Sequence, residues 1–480
     1  MNTITLIAGD ELRYWRRSKI AWSVLLTLLL VSVCAALVSN AEVSRRAEER
    51  IAQQAEADAI FQAQPDRHPH RMVHYGHYVY RTASPLAVVD PGIDSMVGTS
   101  IFLEGHRQNT ATFANAKETG LLARFGSFSP AFAMQTLVPL LLIICGFAGV
   151  TREKENRTLF QLIGQGVSTN NLVLGKSLAL WLLALLALLP LLLLGIGATA
   201  DDSYGFRQSF IMMLLGYLAY LTIWVLLIAS VSSFSRTSTQ SLSVLLGLWI
   251  VAAVLMPRVA GAYANATAPS PSQIETNLRI AEAVRTGGDS HNIQDEAFVD
   301  LRAQTLAEYG VETIEDLPFN YRGLVALRGE DADSEVLNRF AEERMALELE
   351  QKAASDSFSW FSPLIAMRAY SMALASTSLQ DHHHFLRAAE DYRYNMVQTF
   401  NRLQMTEMTL EEDLSRNENA QSNQRTRVDA SHWSEMPVFT LTPLNESQRW
   451  QAATQSGLSL LIWTMAGFAL LLASARRLRP

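Results

Sequence analysis

Apolar residues in this chain are gathered into long runs separated by polar stretches. Six runs reach the roughly 20 residues that a helix needs to cross a hydrocarbon core about 30 Å thick. They are Ile20 to Val38, Phe132 to Val150, Ser177 to Ile196, Phe210 to Val231, Ser238 to Met256 and Ser456 to Ala473. Each predicts a transmembrane helix. The fifth, closed by Pro257, is the weakest, and its pattern leaves open whether 242–256 spans fully or re-enters. The first is long enough to span and no Ala-x-Ala cleavage pattern closes it, so it is read as a retained anchor.

Between the runs the pattern changes. From Ala41 to Gln62 it is polar, with Arg45, Arg46, Glu48, Glu49 and Arg50 alternating in sign, as in a solvated helix continuing out of the membrane until Pro65 and Pro69. His74 to Leu103 is rich in Tyr, Val and Ile and broken by Pro and Gly, which predicts short strands. Further on, Ser272-Gln273-Ile274-Glu275 has the spacing of a capping box, and Leu386, Ala389, Tyr392, Met396, Phe400 and Leu403 recur at helical spacing. The aromatic stretch Phe358 to Met367 is too short to span; it packs as core or dips into the outer membrane surface, and core is favoured.

Composition agrees with clustering: 49% of the 480 residues are hydrophobic and only 18% charged. Lys and Arg of short loops are retained on the cytoplasmic side. Arg13, Arg16, Arg17 and Lys19, then Arg152, Lys154, Arg157 and Lys176, then Arg236, then Arg476, Arg477 and Arg479 fall on one side when six helices alternate, so both termini are expected in the cytoplasm. The other side receives the turn at Asp201 and Asp202 and two long segments. From Pro257 to Arg449 there are 30 acidic and 17 basic residues, a balance of −13, so with −7 overall the rest of the chain carries +6. A solvated helical surface explains that acidity better than cation binding. Cys34 and Cys145, the only cysteines, both lie in predicted spans, so no disulfide is expected outside the membrane.

The loop between the second and third spans carries the most specific pattern. Thr151 to Arg157 is a charged turn, and Leu159, Phe160, Leu162 and Ile163 follow as a short amphipathic helix suited to a groove on a soluble partner. With Glu153, Glu155, Thr158 and Leu159, then Leu174-Gly175-Lys176, this loop resembles that of type-2 ABC exporter permeases, whose coupling helix reads Glu-x-Glu-x-Gly-Thr-Leu; Arg157 stands where the pattern has Gly. Tyr75 to Tyr80, Ser84-Pro85-Leu86, Asp90-Pro91-Gly92, Leu103 to Asn109, Phe125-Gly126, Ser362-Pro363, Ser371 to Ala375 and Phe385 to Asn401 are similar to a subgroup with a large external insertion and no assigned substrate.

The resemblance implies an α-helical membrane protein of six transmembrane helices, with an N-terminal amphipathic helix, about Thr3 to Arg17, and two external domains, the first mixed α/β and the second mainly helical. The expected layout is 1–38 for that helix and the first span, 39–131 for the first external (periplasmic) domain, 132–256 for spans two to five with the coupling helix at about 152–165, 257–455 for the second external domain, and 456–480 for the last span and basic tail. It further implies a bacterial inner-membrane permease working with a second, identical or related, permease and an ABC ATPase subunit. The partner would hold ATP and Mg, and this chain no cofactor. Glu153, Glu155, Thr158, Leu159, Phe160 and Leu162 would couple to the ATPase, and charge reversal at Glu153 and Glu155 is expected to uncouple hydrolysis.

Gly175-Lys176-Ser177 ends like a phosphate loop, but Asn170 stands where that motif needs Gly, so no nucleotide site is read here, and nothing points to nucleic acid. Gln135, Thr136, Thr222, Ser241 and Ser243 are polar positions inside spans and candidates for a substrate pathway, although Ser and Thr more often bond their own helix. No Asp, Glu, Lys, Arg or His is predicted at depth, which argues against a proton-coupled carrier. All ten histidines lie outside the spans; His68, His70, His74 and His77 form a weak candidate metal group, more readily read as structural. No nucleophile and base spacing indicates an enzyme. The leading expectation is an exporter permease acting on an unidentified substrate; the alternative keeps the ATPase but has the external domains pass mechanical work to a periplasmic partner.

Overall fold

The computed structural model describes residues 2–94, 96–111, 128–201 and 204–478. Phe125-Gly126, Asp202 and Arg479, used above, lie outside the described residues. The protein is largely α-helical, with six helices long and apolar enough to cross a membrane and two mostly helical external insertions.

An amphipathic helix, Thr3–Arg17, opens the fold; Asn2 caps it by accepting from the Ile4 amide, and Ala8, Glu11 and Trp15 form its buried face. It lies against the third span, where an added Cβ on Gly175 would stand 2.6 Å from Ile7 Cβ, so a side chain at Gly175 would push the two helices apart. After Ser18 the first span begins, and the helix Lys19–Gln62 does not stop at the membrane surface. Its 44 residues measure roughly 66 Å at about 1.5 Å per residue, so about half of it stands outside as a stalk. The remaining spans are Pro130–Glu155, Thr169–Ala198, Phe206–Phe234, Ser238–Thr267 and Glu446–Arg477. The fifth is one helix through Pro257 to Thr267, ten or so residues beyond the end that its hydropathy suggested.

Two of these helices contain a π turn shortly before a proline: Ala133–Leu137 ahead of Pro139, and Val251–Leu255 ahead of Pro257. Proline has no N–H to give to the helical ladder, and its ring crowds the preceding turn. The wider turn relieves the crowding but frees carbonyls, which lipid cannot satisfy. Other elements supply the donors. Tyr220 Oη donates to the Gln135 carbonyl at 2.5 Å and Trp249 Nε1 to that of Thr136 at 3.0 Å. In the fifth span the Ala252 carbonyl accepts from Ser362 Oγ at 2.8 Å.

Ser362 belongs to the aromatic stretch noted above, and its position settles how that stretch packs. A 3₁₀ turn, Ser357–Trp360, leads into the helix Pro363–Ala375, which re-enters the bundle from outside. Leu364, Ala366, Met367, Ala373 and Leu374 share a core with the spans. Tyr370 fits against Gly216, where an added Cβ would meet its ring at 2.4 Å. Ser371 Oγ lies 3.0 Å from Tyr217 Oη, and the Ser359 carbonyl accepts from Ser459 Oγ and Trp463 Nε1. Trp360 and Phe361 remain exposed at the tip. The expectation of core packing thus holds for Ser362 to Met367, but the core is that of the membrane bundle and not of an external domain.

The two insertions share one external core. In the first, Pro69–Tyr75 is helical, and His77–Tyr80 pairs antiparallel with Ser100–Leu103 in the register His77↔Leu103. This insertion is therefore mostly helical with one short hairpin, less β-rich than its composition suggested. A two-stranded hairpin is marginal alone, and this one packs Val79, Ile101 and Leu103 against Phe385, Met396 and Phe400 of the helix Leu379–Thr406. Ser272 caps Gln273–Thr286 by accepting the Glu275 amide, as its spacing predicted. The long helix Tyr321–Asp356 packs on Leu379–Thr406, where Arg393, buried, bridges Glu330 at 2.6 Å and Glu390 at 2.8 Å.

At the start of Leu379–Thr406, burial, with Arg81 nearby, holds the His382 imidazole down at about 4. An unfolded histidine titrates near pH 6.5, so the folded form takes up its proton later than the unfolded chain. Its contribution to stability is complete above about pH 6.5 and is lost as pH falls toward about 4. His382→Gln should flatten the acid loss of stability of the external unit by up to about 1.4 kcal/mol per pH unit in that window, read from thermal melts of the purified protein across pH 4 to 7.

Candidate coupling site

The charged end of the second span is a short helix, Thr151–Glu155, and a second helix, Thr158–Gly164, follows after Asn156 and Arg157. Four consecutive charged side chains leave the first helix in four directions, each to a different element. Arg152 Nη2 lies 2.7 Å from Glu11 Oε2, and its guanidinium stacks 3.6 Å above the Tyr14 ring, both on the amphipathic helix. Glu153 Oε1 takes Lys176 Nζ of the third span at 2.8 Å, while its other oxygen accepts from Thr158 Oγ1. Lys154 Nζ donates to the Ser233 and Ser235 carbonyls, where the fourth span ends. Glu155 accepts from the Ser238 amide at 2.7 Å and its hydroxyl at 2.6 Å, where the fifth begins.

Glu11 and Lys176, 2.5 Å apart, are both buried, which makes the network more than a surface ion pair. Charges removed from water persist only where partners surround them, and here two cations share the Glu11 carboxylate. The pairing also accounts for Leu174-Gly175-Lys176: Leu174 packs in the core beneath the coupling helix, Gly175 admits the amphipathic helix, and Lys176 closes the network. Glu11 was not singled out in the sequence. One acidic residue on the buried face of an amphipathic helix carries no signal until the fold shows what lies beneath it.

Leu159 is inserted into a core with Val150, Leu172, Val173, Leu226 and Leu471, and Leu162 flanks it. Phe160, next in sequence, is 69% exposed. It stands at an open cleft of about 890 Å³ edged by Lys154, Arg157, Arg236 and Arg477. Of the six residues expected to couple, Glu153, Glu155, Thr158, Leu159 and Leu162 thus hold the loop to its own chain, and Phe160 faces outward. Charge reversal at Glu153 would consequently break the internal network, so Phe160 is the cleaner probe of an external contact.

The five polar span positions are not brought together. Gln135 Nε2 bonds Tyr217 Oη at 3.0 Å, Thr222 Oγ1 accepts from Trp181 Nε1 at 3.1 Å, and the Thr136 carbonyl is taken by Trp249. Ser241 is buried without a partner among the described residues, and Ser243 is exposed on the outer face of the fifth span. The four clustered histidines also separate. His68 Nε2 bonds Asp413 at 3.0 Å and His77 Nε2 bonds Asp58 at 2.9 Å, each a buried structural contact. Burial alone would raise the Asp413 carboxyl, but bonds from His68, Gln404 and Asn320 hold it well below the usual carboxylate range. His70 and His74 face one another elsewhere.

The described residues thus form a bundle of six membrane-length helices with a basic end and a large external unit, the build of a multi-pass membrane protein. Residues 100–276 match the family described as ABC-2 family transporter protein, and residues 273–442 match a domain of unknown function (DUF3526). No curated protein matches the chain. Between them the two matches run from residue 100 to 442, the first taking in spans two to five with the charged loop and the second most of the second insertion.

Arg157 adopts φ 59° and ψ 13°, the left-handed region, at the turn between the two short helices. This explains why a glycine suits that position, since a Cβ there costs roughly 1–2 kcal/mol. Arg157→Gly should leave the fold intact and raise stability by about 0.5–1 kcal/mol, the gain being reduced by glycine's freedom in the unfolded chain. A melting temperature in detergent that falls would contradict the reading of that turn.

Proposed function

We propose that this chain is the permease subunit of an ATP-driven exporter, acting as a pair with an identical or related permease and bound to two ATPase subunits. The observation that carries the reading is the split role of the coupling loop. Its charged turn is tied to the amphipathic helix and to the third, fourth and fifth spans, while Phe160 projects from the next turn. A push on that aromatic side chain would be delivered to four helices together, which is what a rigid lever between a soluble motor and a membrane bundle requires. The basic residues around the cleft support a cytoplasmic setting for this end, with the acidic external unit in the periplasm of a bacterial inner membrane. ATP and Mg would belong to the partner, and a substrate would pass between the paired bundles.

A second reading is favoured by the re-entrant helix. Gln135 and Thr222 are engaged inside the bundle, and the segment that carries Ser359, Ser362 and Ser371 is bonded to the sixth, fifth and fourth spans, so movement of those spans would reach the external unit directly. Such a protein would transmit work to a periplasmic partner without moving a substrate.

Both readings need the ATPase contact. Co-expression and purification in mild detergent should yield a stoichiometric ABC ATPase, and Phe160→Ala should reduce its recovery at least tenfold with the melting temperature unchanged. Equal recovery with Phe160→Ala would remove Phe160 from the contact; a well-folded preparation without ATPase would sink both readings.

A further inference from the structure

His70 and His74 stand four residues apart on the helix Pro69–Tyr75, which places both imidazoles on one face, and their Nε2 atoms are 3.2 Å apart. A loop of the second insertion brings a third ring to them. The His291 centroid lies 5.1 Å from that of His70 and 5.9 Å from that of His74. Ligand atoms of the three side chains fall within 4.8 Å of one another. From the turn after the second strand, His106 approaches to 4.9 Å from His291 and 5.4 Å from His74, centroid to centroid.

Four imidazoles converge here, and the neutral imidazole is the form that ligates a metal. The outer pair is oriented by carboxylates. His106 Nδ1 faces Glu330 at 3.4 Å and Asp333 at 3.5 Å, and His291 Nδ1 faces Asp289 at 3.2 Å. A carboxylate that accepts a hydrogen bond from Nδ1–H leaves the Nε2 lone pair free, the arrangement that prepares histidine as a metal ligand. Among the described residues, His106 Nε2 is buried with no partner, as is His70 Nδ1. The His106 backbone sits at φ 60°, a strained conformation that aims the ring at the group.

We propose that His70, His74 and His291, with His106 as the fourth ligand, bind one divalent transition-metal ion, zinc fitting best, and that the ion ties the first external insertion to the second. Zinc–nitrogen bonds of about 2.0–2.1 Å place tetrahedral ligand atoms about 3.4 Å apart. His70 and His74 already meet that spacing, and the exposed rings of His74 and His291 can close the rest by side-chain rotation. An all-imidazole set also excludes the hard ions calcium and magnesium, which take oxygen ligands. Behind the site, Glu330 joins His106 to the buried Arg393, so the ion would be braced by the core of the second insertion. The four ligands come from three separate segments, which is why the earlier grouping by sequence proximity included His68 and His77 and omitted His106 and His291.

The full chain, purified in detergent and stripped with a chelator, would be titrated with zinc alone and with cobalt(II) as a spectroscopic probe. The expected result is one equivalent bound, cobalt absorption of tetrahedral intensity, and a rise in melting temperature on adding zinc. His74→Ala and His291→Ala, both at exposed positions, should each weaken zinc at least tenfold and abolish the thermal shift, while keeping the metal-free melting temperature of the parent. His384→Ala, whose ring bonds the Thr442 carbonyl away from the site, should bind as the parent does. Weak octahedral cobalt spectra, several loose equivalents, or parental affinity in His291→Ala would overturn the proposal.

Discussion

A carbonyl freed inside hydrocarbon has no water to turn to. Pro139 and Pro257 each create that problem, and the donors that solve it come from other parts of the chain: Tyr220, Trp249 and Ser362. Ser362 makes an external insertion a structural part of the membrane bundle. Once it is seated on the fifth span, the helix behind it must pack among the spans, and its small residues, together with Gly216, allow that. The external unit is therefore held to the bundle at its inner end as well as at its stalk.

At the opposite end the constraint is charge. Glu11 and Lys176 are buried together, and neither would be tolerated there without the other and without Arg152 and Glu153. This makes the amphipathic helix, the coupling turn and the third span one mechanical piece. Lys154 and Glu155 extend that piece to the fourth and fifth spans through backbone groups at helix ends, which otherwise lack partners. The fourth span then meets the re-entrant helix through Tyr217 and Ser371. A continuous set of packed helices thus runs from Phe160 to the external core.

Outside the membrane the second insertion has a small core of its own around Tyr321 and Val325, whereas the hairpin of the first depends on a core shared with it. The hairpin buries Val79, Ile101 and Leu103 only because Phe385, Met396 and Phe400 come to it from the second insertion. The histidine group at the same junction draws on both insertions, so assembly of the external unit and assembly of that group are one event.

The six spans were legible from sequence because crossing a membrane is a local demand: about 20 apolar residues declare it without reference to the rest of the chain. The coupling turn was legible for a similar reason, its charges being adjacent, and Ser272 declared a helix start through a contact three residues away. Sequence could not show that Arg157 is left-handed, that Glu153 and Glu155 are taken up by Lys176 and Ser238, or that Gln135 and Thr222 are already satisfied, since each depends on the fold around it. The re-entrant helix was hidden because 13 moderately apolar residues suit a soluble core equally well; only the open carbonyl of Ala252 and the space beside Gly216 decided where they went. The histidines show the same division. Their chemistry was evident residue by residue, but which of them meet was decided by the packing of one insertion on the other, because ligation depends on distances of a few ångströms that sequence separation does not measure.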